Sequence, residues 1–526
     1  MWALLAIIIA LAIAVSVTVA SRISFSSDTL RKRVVATLSD RLDSRVEVAG
    51  VTVRFFPGFQ AELSDLIIRH KQRTDLPPLL VVKRLAVDAG LLGLLNKHVD
   101  RVAINGLEIN IPPHDDDEDS PPDRLANAHR AQKRAGGWSL KAQFGGAKDV
   151  VIDHLVATEA RLVIIPKTAK KLPKVWELHH LDTRSVSFET AMPFESVLTN
   201  AVPPGDIHVK GHFGPWAVNA PAQTPLDGAF TFDDANLGVF KGISGTLSAH
   251  GGFSGTLGRI KVAGETYTPQ FTVAVGGHAV PLRAAYQTTV DGTNGNTLLD
   301  RIDASFLNTS LVAAGSVIDT PGKKGRTVVL DIKMDKARLE DVLQLAVPAP
   351  TPPMTGALRL TTRFVLPPDD RDVVDKLRLD GQFELMSARF TSLDIQQKVD
   401  ELSRRSRGDT SEAPSASVLS NFHGRFKLRG GALSFDTLEF ETKGARVQLA
   451  GTYALRPEDL HFKGTLLIDA KISETQKGWK RLLLKPLDPI FRTRNGKGSE
   501  LPIKIEGRRN DPAFGIDRSR LFKRHG

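Results

Sequence analysis

The 526-residue chain reads as mainly β. An N-terminal transmembrane helix leads into a long curved antiparallel β-sheet, groove-like, with a few short helices. Three observations predict this. The first residues form an uncharged apolar span of bilayer length. Most of the remaining chain alternates apolar and polar residues with the period of a strand that buries one face. Helical spacing is confined to a few short stretches.

The apolar span runs from Trp2 through Leu11 to Ala20, with Ser16 and Thr18 its only polar members. It is about 28 Å long as a helix, close to the ~30 Å hydrocarbon core of a bilayer. Thr18-Val19-Ala20 before Ser21 is a poor cleavage site and no basic residue precedes the span, so it reads as an uncleaved anchor. Arg22, Arg31, Lys32 and Arg33 follow it. By the positive-inside rule alone the body would lie on the cytoplasmic side. Lys or Arg upstream of Met1 would reverse that balance.

Leu30, Val34, Leu38 and Leu42 recur every four residues and mark an amphipathic helix, capped by Ser27 or Asp28. The period then changes to two. Val46, Val48, Val51, Val53 and Phe55 read as a hairpin broken at Ala49-Gly50. Strands follow around Leu63–Ile68, Leu79–Val87 and Val102–Ile111, with a short helix at Leu91–Leu95. Residues 112–137 open with Pro112-Pro113, pass through five consecutive acids at 115–119 and end at Gly136-Gly137. They lack the alternating Asp and turn Gly of a calcium loop, so they read as a solvated linker.

From 138 to 330 strand follows strand, separated by Gly-rich turns such as Lys241–Gly245 and Gly251-Gly252. Leu339, Val342, Leu343 and Ala346 mark a short helix that Pro348 stops; Ile395, Val399 and Leu402 mark another, followed by a loop at Arg407–Ser417. The division expected is an anchor at 1–20, a helix-and-strand region at 21–111, the linker at 112–137, a central β region at 138–350 and a C-terminal β region at 351–526.

The strongest alternation lies in 421–469. Phe422, Phe426 and Leu428 share one parity; Leu438 and Phe440, Val447 and Leu449, and Phe462 and Leu466 follow in turn, with charged or polar residues between them. Phe426, Leu428, Leu438, Phe440, Val447, Leu449, Phe462 and Leu466 are therefore the candidates to line an apolar face. Such a face must be hidden, either by a twisted sheet curling over an apolar trough or in the core of an ordinary sandwich. A membrane barrel is disfavoured, because three Tyr and five Trp are too few for its aromatic girdles.

The absence of cysteine excludes disulfides, thiolate metal sites and thiol catalysis. Net charge is +11, and Lys471–Gly526 carries 15 basic against 6 acidic residues, a surface that attracts anionic head groups. Phe supplies 25 of the 33 aromatics, which favours apolar burial over the stacking platforms of nucleic-acid binders. No nucleophile elbow, phosphate loop, HExxH or dinucleotide motif occurs. In a regular strand His179 and His180 would point to opposite faces, a poor arrangement for one metal ion. Arg407-Gly408-Asp409 matches an adhesion tripeptide, but a chance match in a polar loop is the simpler reading. The chain is expected not to be an enzyme and to use no cofactor or metal.

The order of these segments resembles the AsmA-like inner-membrane-anchored proteins. The anchor and helix lead into Val46–Pro57 and Ala61–Ile68; Leu91–Leu95 and Val102–Pro112 resemble the family's short helix and closing strand; 420–516, with Gly451-Thr452-Tyr453, Leu501–Gly507 and Asp511–Gly515, resembles its C-terminal region. The resemblance implies an inner-membrane single-pass protein with its body in the periplasm. It implies a curved groove of the bridge-like lipid-transfer type. This chain is short for such a groove: at ~4.8 Å per strand, about 20–25 strands give ~100–120 Å if all lie in one groove. The resemblance further implies binding or conduction of phospholipid or another envelope lipid in support of outer-membrane homeostasis and biogenesis, with other envelope proteins as further partners. The alternative it carries is a non-enzymatic scaffold for outer-membrane protein assembly and targeting.

Overall fold

A computed structural model of the chain describes residues 45–111 and 150–517 except 55–57, 70–76, 91–92, 94–97, 166–172, 218–219, 274–277, 321–324, 369–370, 410–417, 476–497 and 510, together with 31–32, 35–36 and 38–39. The fold is mainly β. Among the described residues 24 strands belong to one hydrogen-bonded sheet, accompanied by three short α-helices. The anchor span Trp2–Ala20, the linker 112–137 and all of the Leu91–Leu95 helix but Gly93 lie outside the described residues. No helix among the described residues is long and apolar enough to cross a membrane.

The chain forms two compact units. The first takes residues up to 239 with 247–264 and 289–295; the second takes 240–246, 265–288 and 296–526.

Unit 1 begins with β1 (Arg45–Arg54), β2 (Phe59–Arg69), β3 (Leu80–Ala89) and β4 (His98–Ile111), paired antiparallel in sequence. The expected hairpin at Ala49-Gly50 is not there: β1 is one continuous strand. What the sequence shows as a break is a change of parity. Val48 and Val51 are both buried, three residues apart, as are Leu63 and Leu66 in β2, Val82 and Leu85 in β3, and Ile104 and Leu107 in β4. The same step recurs at Ala157 and Ala160 of β5 (Val151–Ile164), and at Leu178 and Leu181 of β6 (Lys174–Val186). The registers align these steps into one transverse row, Asp65 beside Lys83, Lys83 beside Gly106, Gly106 beside Glu159. Asp65, Gly106 and Glu159 have φ of 48°, 66° and 55°. A residue in that conformation acts as a bulge, so both halves of each strand present apolar side chains to the same face. A Cβ on Gly106 would lie 2.5 Å from Cδ of Lys83, which explains glycine at this point of the row.

The antiparallel expectation fails at one pair. β4 and β5 run parallel, with His98 opposite Val151 and Ile111 opposite Ile164. A parallel pair needs a crossover of a dozen or more residues, and the chain from 112 to 150 is long enough to supply one. β6, β7 (Met192–Ala201), β8 (Pro204–Phe213) and β9 (Pro225–Asn236) then continue antiparallel. Val46 to Leu226 of these strands fill a continuous core, and Leu38 from the helical residues before β1 is buried within it.

Unit 2 contains β10 (Ile243–Ser244), most of β12 (Arg259–Val273), and nearly all of β13 (Val280–Val290); β11 (Thr246–Thr256), between β10 and β12, belongs to unit 1 but for its first residue. β14 (Thr297–Phe306), β15 (Thr309–Asp319), β16 (Arg326–Arg338), β17 (Met354–Leu366), β18 (Arg378–Phe390), β19 (Ser420–Arg429), β20 (Ala432–Thr442), β21 (Ala445–Ala454), β22 (Asp459–Ile468), β23 (Ser499–Arg508) and β24 (Asp511–Ile516) follow. From β14 onward each strand pairs antiparallel with the next.

The helices stand in the connections. α1 (Leu339–Ala346) joins β16 to β17 and packs Leu339 and Val342 against the buried cluster of Met334, Ala337, Leu358, Leu385 and Ala388. Its buried Asp341 accepts from the Asn308 N–H and the Thr309 hydroxyl, both at 2.9 Å. α2 (Val373–Lys376) joins β17 to β18. α3 (Leu393–Ser406) joins β18 to β19; of the expected stripe Val399 and Leu402 are half-buried, but Ile395 is not. Gln396, Ser403 and Ser406 are buried instead, while Leu393 and Ile395 remain 77% and 46% exposed. Backbone groups need partners here: the side-chain amide oxygen of Gln396 accepts from the Phe390 N–H, and the Ser403 hydroxyl donates to the Lys443 carbonyl. Arg407-Gly408-Asp409 ends this helix, with the N–H groups of Gly408 and Asp409 bonded to carbonyls of Arg405 and Arg404, a terminator of the kind glycine commonly forms.

Candidate functional site

The eight apolar candidates converge on one face of unit 2. Phe440 of β20 stands between Phe422 of β19 and Val447 of β21, and Val447 faces Leu466 of β22. Two residues along the strands, Leu438 faces Leu449. Two further on, Phe426 faces Phe435, while Phe435 and Phe462 face each other across Gly451. Leu428 faces Leu433 in the last row. Leu428, Val447 and Phe462 are buried; Phe426, Leu438, Phe440, Leu449 and Leu466 are half-buried.

The rows continue on both sides. Leu385 and Phe383 of β18 extend them toward β17, and Leu501, Ile503 and Ile505 of β23 extend them toward β24. Phe422 and Phe440 have ring centroids 4.7 Å apart, and Phe435 and Phe462 5.9 Å apart. Phe383 lies 6.3 Å from Phe426 and 6.5 Å from Phe435. Such tilted aromatic contacts favour one arrangement of the rings.

Glycines make room for these rings. Gly381 faces Phe426, Gly424 faces Phe383, Gly451 faces Phe435 and Phe462, and Gly464 faces Leu449 and Ile503. A Cβ at each would approach a neighbouring strand's carbonyl oxygen too closely: 2.5 Å at Gly381, 2.6 Å at Gly424, 2.1 Å at Gly451 and 1.8 Å at Gly464. Glycine inside a strand ordinarily weakens it, and here it marks close backbone approach.

The opposite face is charged. Arg359 pairs with Glu384 at 3.4 Å, Arg363 with Asp331 at 3.5 Å, His423 with Glu439 at 3.3 Å and Lys427 with Asp436 at 2.8 Å. Hydrogen bonding to Asp436 raises the Lys427 ammonium above its ordinary value, and the same bond lowers Asp436. These are exposed cross-strand pairs, which keep this face in water more than they stabilise it.

Leu433, Phe435, Ile503 and Ile505 join the apolar face without having been singled out in the sequence. Phe435 and Leu438 are three residues apart because the register shifts between them. That bulge breaks the alternation on which the sequence reading relies. His179 and His180 sit at a similar step, between buried Leu178 and Leu181, and both are exposed rather than divided between faces. His179 Nε2 lies 2.7 Å from Thr199 Oγ1. No group of three metal-ligating side chains occurs among the described residues. Trp2, Leu11 and Ala20 lie outside them.

No family model matches the chain, and no curated protein matches it.

Proposed function

We propose that this chain is a membrane-anchored envelope protein that binds phospholipid along the apolar face of unit 2 and conducts it from strand to strand. The observation that carries the reading is that the apolar rows across β17–β23 are continuous and that many of their side chains, Phe426, Leu438, Phe440, Leu449 and Leu466 among them, are only half-buried. In unit 1 the corresponding side chains are packed into one buried core, whereas the buried cluster around α1 contains only Met334, Ala337, Leu358, Leu385 and Ala388. An apolar face that its own chain leaves half-covered has area to give to an apolar ligand.

Leu379 and Leu385 mark the outer rows on β18, about 20 Å apart along the strand. That breadth accommodates the hydrocarbon of one leaflet, roughly half of the ~30 Å core. Burial contributes ~0.8 kcal/mol per CH₂ without directional preference, so an acyl chain gains little by staying at one row. The segment order that resembles AsmA-like proteins supports an inner-membrane anchor, a periplasmic body and a role in outer-membrane homeostasis.

The test is lipid mass spectrometry on Ser21–Gly526 exported to the periplasm and purified without detergent, beside an unrelated β protein. Stoichiometric phospholipid is expected, and its loss is expected in Phe440→Asp with Leu449→Asp while the strand spectrum is kept. A folded, lipid-free wild type would sink the proposal. It would favour the second reading, a scaffold that adds client strands at an edge. For that reading the supporting feature is β24, which pairs among the described residues only with β23 and leaves Phe514 75% exposed. A photo-crosslinker at Phe514 that captures protein in place of lipid would support it.

A further inference from the structure

Opposite ends of strands meet at one place in unit 2. α1, α3 and the turn between β20 and β21 stand at one end of their strands; α2 and the turns at Gly430-Gly431 and 455–458 stand at the other. β12 finishes at the first of these ends. Its Val273 pairs with Ile243, and His278, five residues on, lies 2.9 Å from the Ala349 carbonyl just beyond α1. Gly242, next to Ile243, therefore belongs to the α1 end. Yet a Cβ on Gly242 would lie 2.9 Å from Cγ2 and 3.3 Å from Cβ of Val373, the first residue of α2. Strands of this length span roughly 35–50 Å. Their opposite ends touch only if the sheet between β12 and β17 rolls over onto one face, as tilted strands do in a barrel.

The two partners are built differently. α2 is fixed by Arg456, whose Nη2 lies 2.6 Å from Asp372 and 2.9 Å from Asp375. The segment Phe240–Ser244 is tied to β12 by two register pairs and by the Ser244 and Thr272 hydroxyls. Gly242 and Gly245, with φ of +95° and +134°, give it two points where the backbone turns freely. At its start Val239 and Phe240 are 48% and 40% exposed.

We infer that Phe240–Ser244 is a strap closing the apolar trough of unit 2 against α2, and that it parts from α2 when phospholipid passes through the side. This rests on the lipid reading of the trough. α2 is the fixed post and the glycine-flanked strap is the moving part. The strap divides the trough into a covered stretch beneath the contact and an uncovered one beyond it.

The chain has no cysteine, so Gly242→Cys with Val373→Cys creates a single pair. The 3.3 Å approach of the two Cβ positions is near the ~3.8 Å usual for a disulfide. The experiment uses the full chain and follows exchange of fluorescent phosphatidylglycerol with phosphatidylethanolamine–phosphatidylglycerol vesicles. Oxidation is expected to cross-link the pair and slow exchange about tenfold or more, and reduction to restore it. Equal exchange in the oxidised and reduced forms, or failure to cross-link, overturns the strap. Because Gly242 has a conformation that disfavours side chains, Val373→Glu is the second variant. It leaves the strap's sequence intact, places a charge at the contact and is expected to speed exchange about threefold or more; an unchanged rate counts against the strap. No exchange in the unmodified chain overturns the lipid reading, and the strap's role with it. Exchange that survives cross-linking overturns the strap alone.

Discussion

Single residues set the shape of the apolar face, and glycine is the most exacting of them. A methyl group on Gly464 would sit 1.8 Å from the Gln448 carbonyl oxygen, so the backbone of β21 or β22 would have to move. Gly464→Ala is expected to cost about 1–3 kcal/mol, as other overpacking substitutions do, read as a lower denaturation midpoint. Gly515→Ala is the control, since its Cβ would meet nothing closer than Lys504 at 3.9 Å, and its midpoint should be nearly unchanged. Asp341 is a second sensitive position. Asp341→Ala would strand the Asn308 N–H and the Thr309 hydroxyl and is expected to cost about 1–3 kcal/mol in the same measurement. At this scale the sequence was legible wherever alternation is unbroken. Phe440, Val447 and Leu466 follow from period two alone. Phe435 does not, because the bulge before Leu438 reverses the parity of its half-strand. Neither do the histidines at 179 and 180, whose shared exposure comes from a step that apolar spacing does not announce.

At the level of elements, α1 couples helix, sheet and pH. Burial works to raise the Glu340 carboxyl, but hydrogen bonds from its own N–H, the Gly356 N–H and Arg338 outweigh it, and the value is lowered from the ordinary 4.5. A lowered carboxylate contributes stability that is complete above 4.5 and is lost as pH falls through the folded value. Thermal unfolding is therefore expected to show Glu340→Gln less stable than wild type at pH 7, with the gap closing below that ordinary value of 4.5. A gap that persists in acid would assign the difference to packing. The existence of α1 and α3 was readable from apolar spacing and from the proline and glycine that follow them. The inward face of α3 was readable only in part. Ile395, Val399 and Leu402 make a conventional stripe, yet the loops around Phe390, Val418 and Lys443 need hydrogen-bond partners, and Gln396, Asp400 and Ser403 supply them. The β1 hairpin failed for a related reason. A row of bulges shared by six strands looks, within any one strand, like two short strands.

For the whole chain, a face of apolar rows and a face of cross-strand ion pairs make opposite demands on a ligand, and salt separates them. If phospholipid is held by acyl burial, the load should survive 1 M salt, where charge interactions reach only ~3 Å compared with ~10 Å at 0.1 M. If the excess of basic residues after Lys471 holds the head groups, the load should fall over the same range. Purification of Ser21–Gly526 in both buffers, with phospholipid counted per protein, reads the difference; an unchanged load is expected. The same logic selects the substitutions. Gln448 and Thr452 lie on β21 between the apolar positions Val447, Leu449 and Tyr453 and are exposed. Gln448→Asp with Thr452→Asp places two charges on the same strand as Leu449→Asp, but on the wet face. Equal loss from both faces would mean that added charge repels lipid through the head groups wherever it stands. Loss confined to Leu449→Asp would mean that lipid contacts the apolar rows themselves, since the net charge differs by only one unit while the face differs entirely.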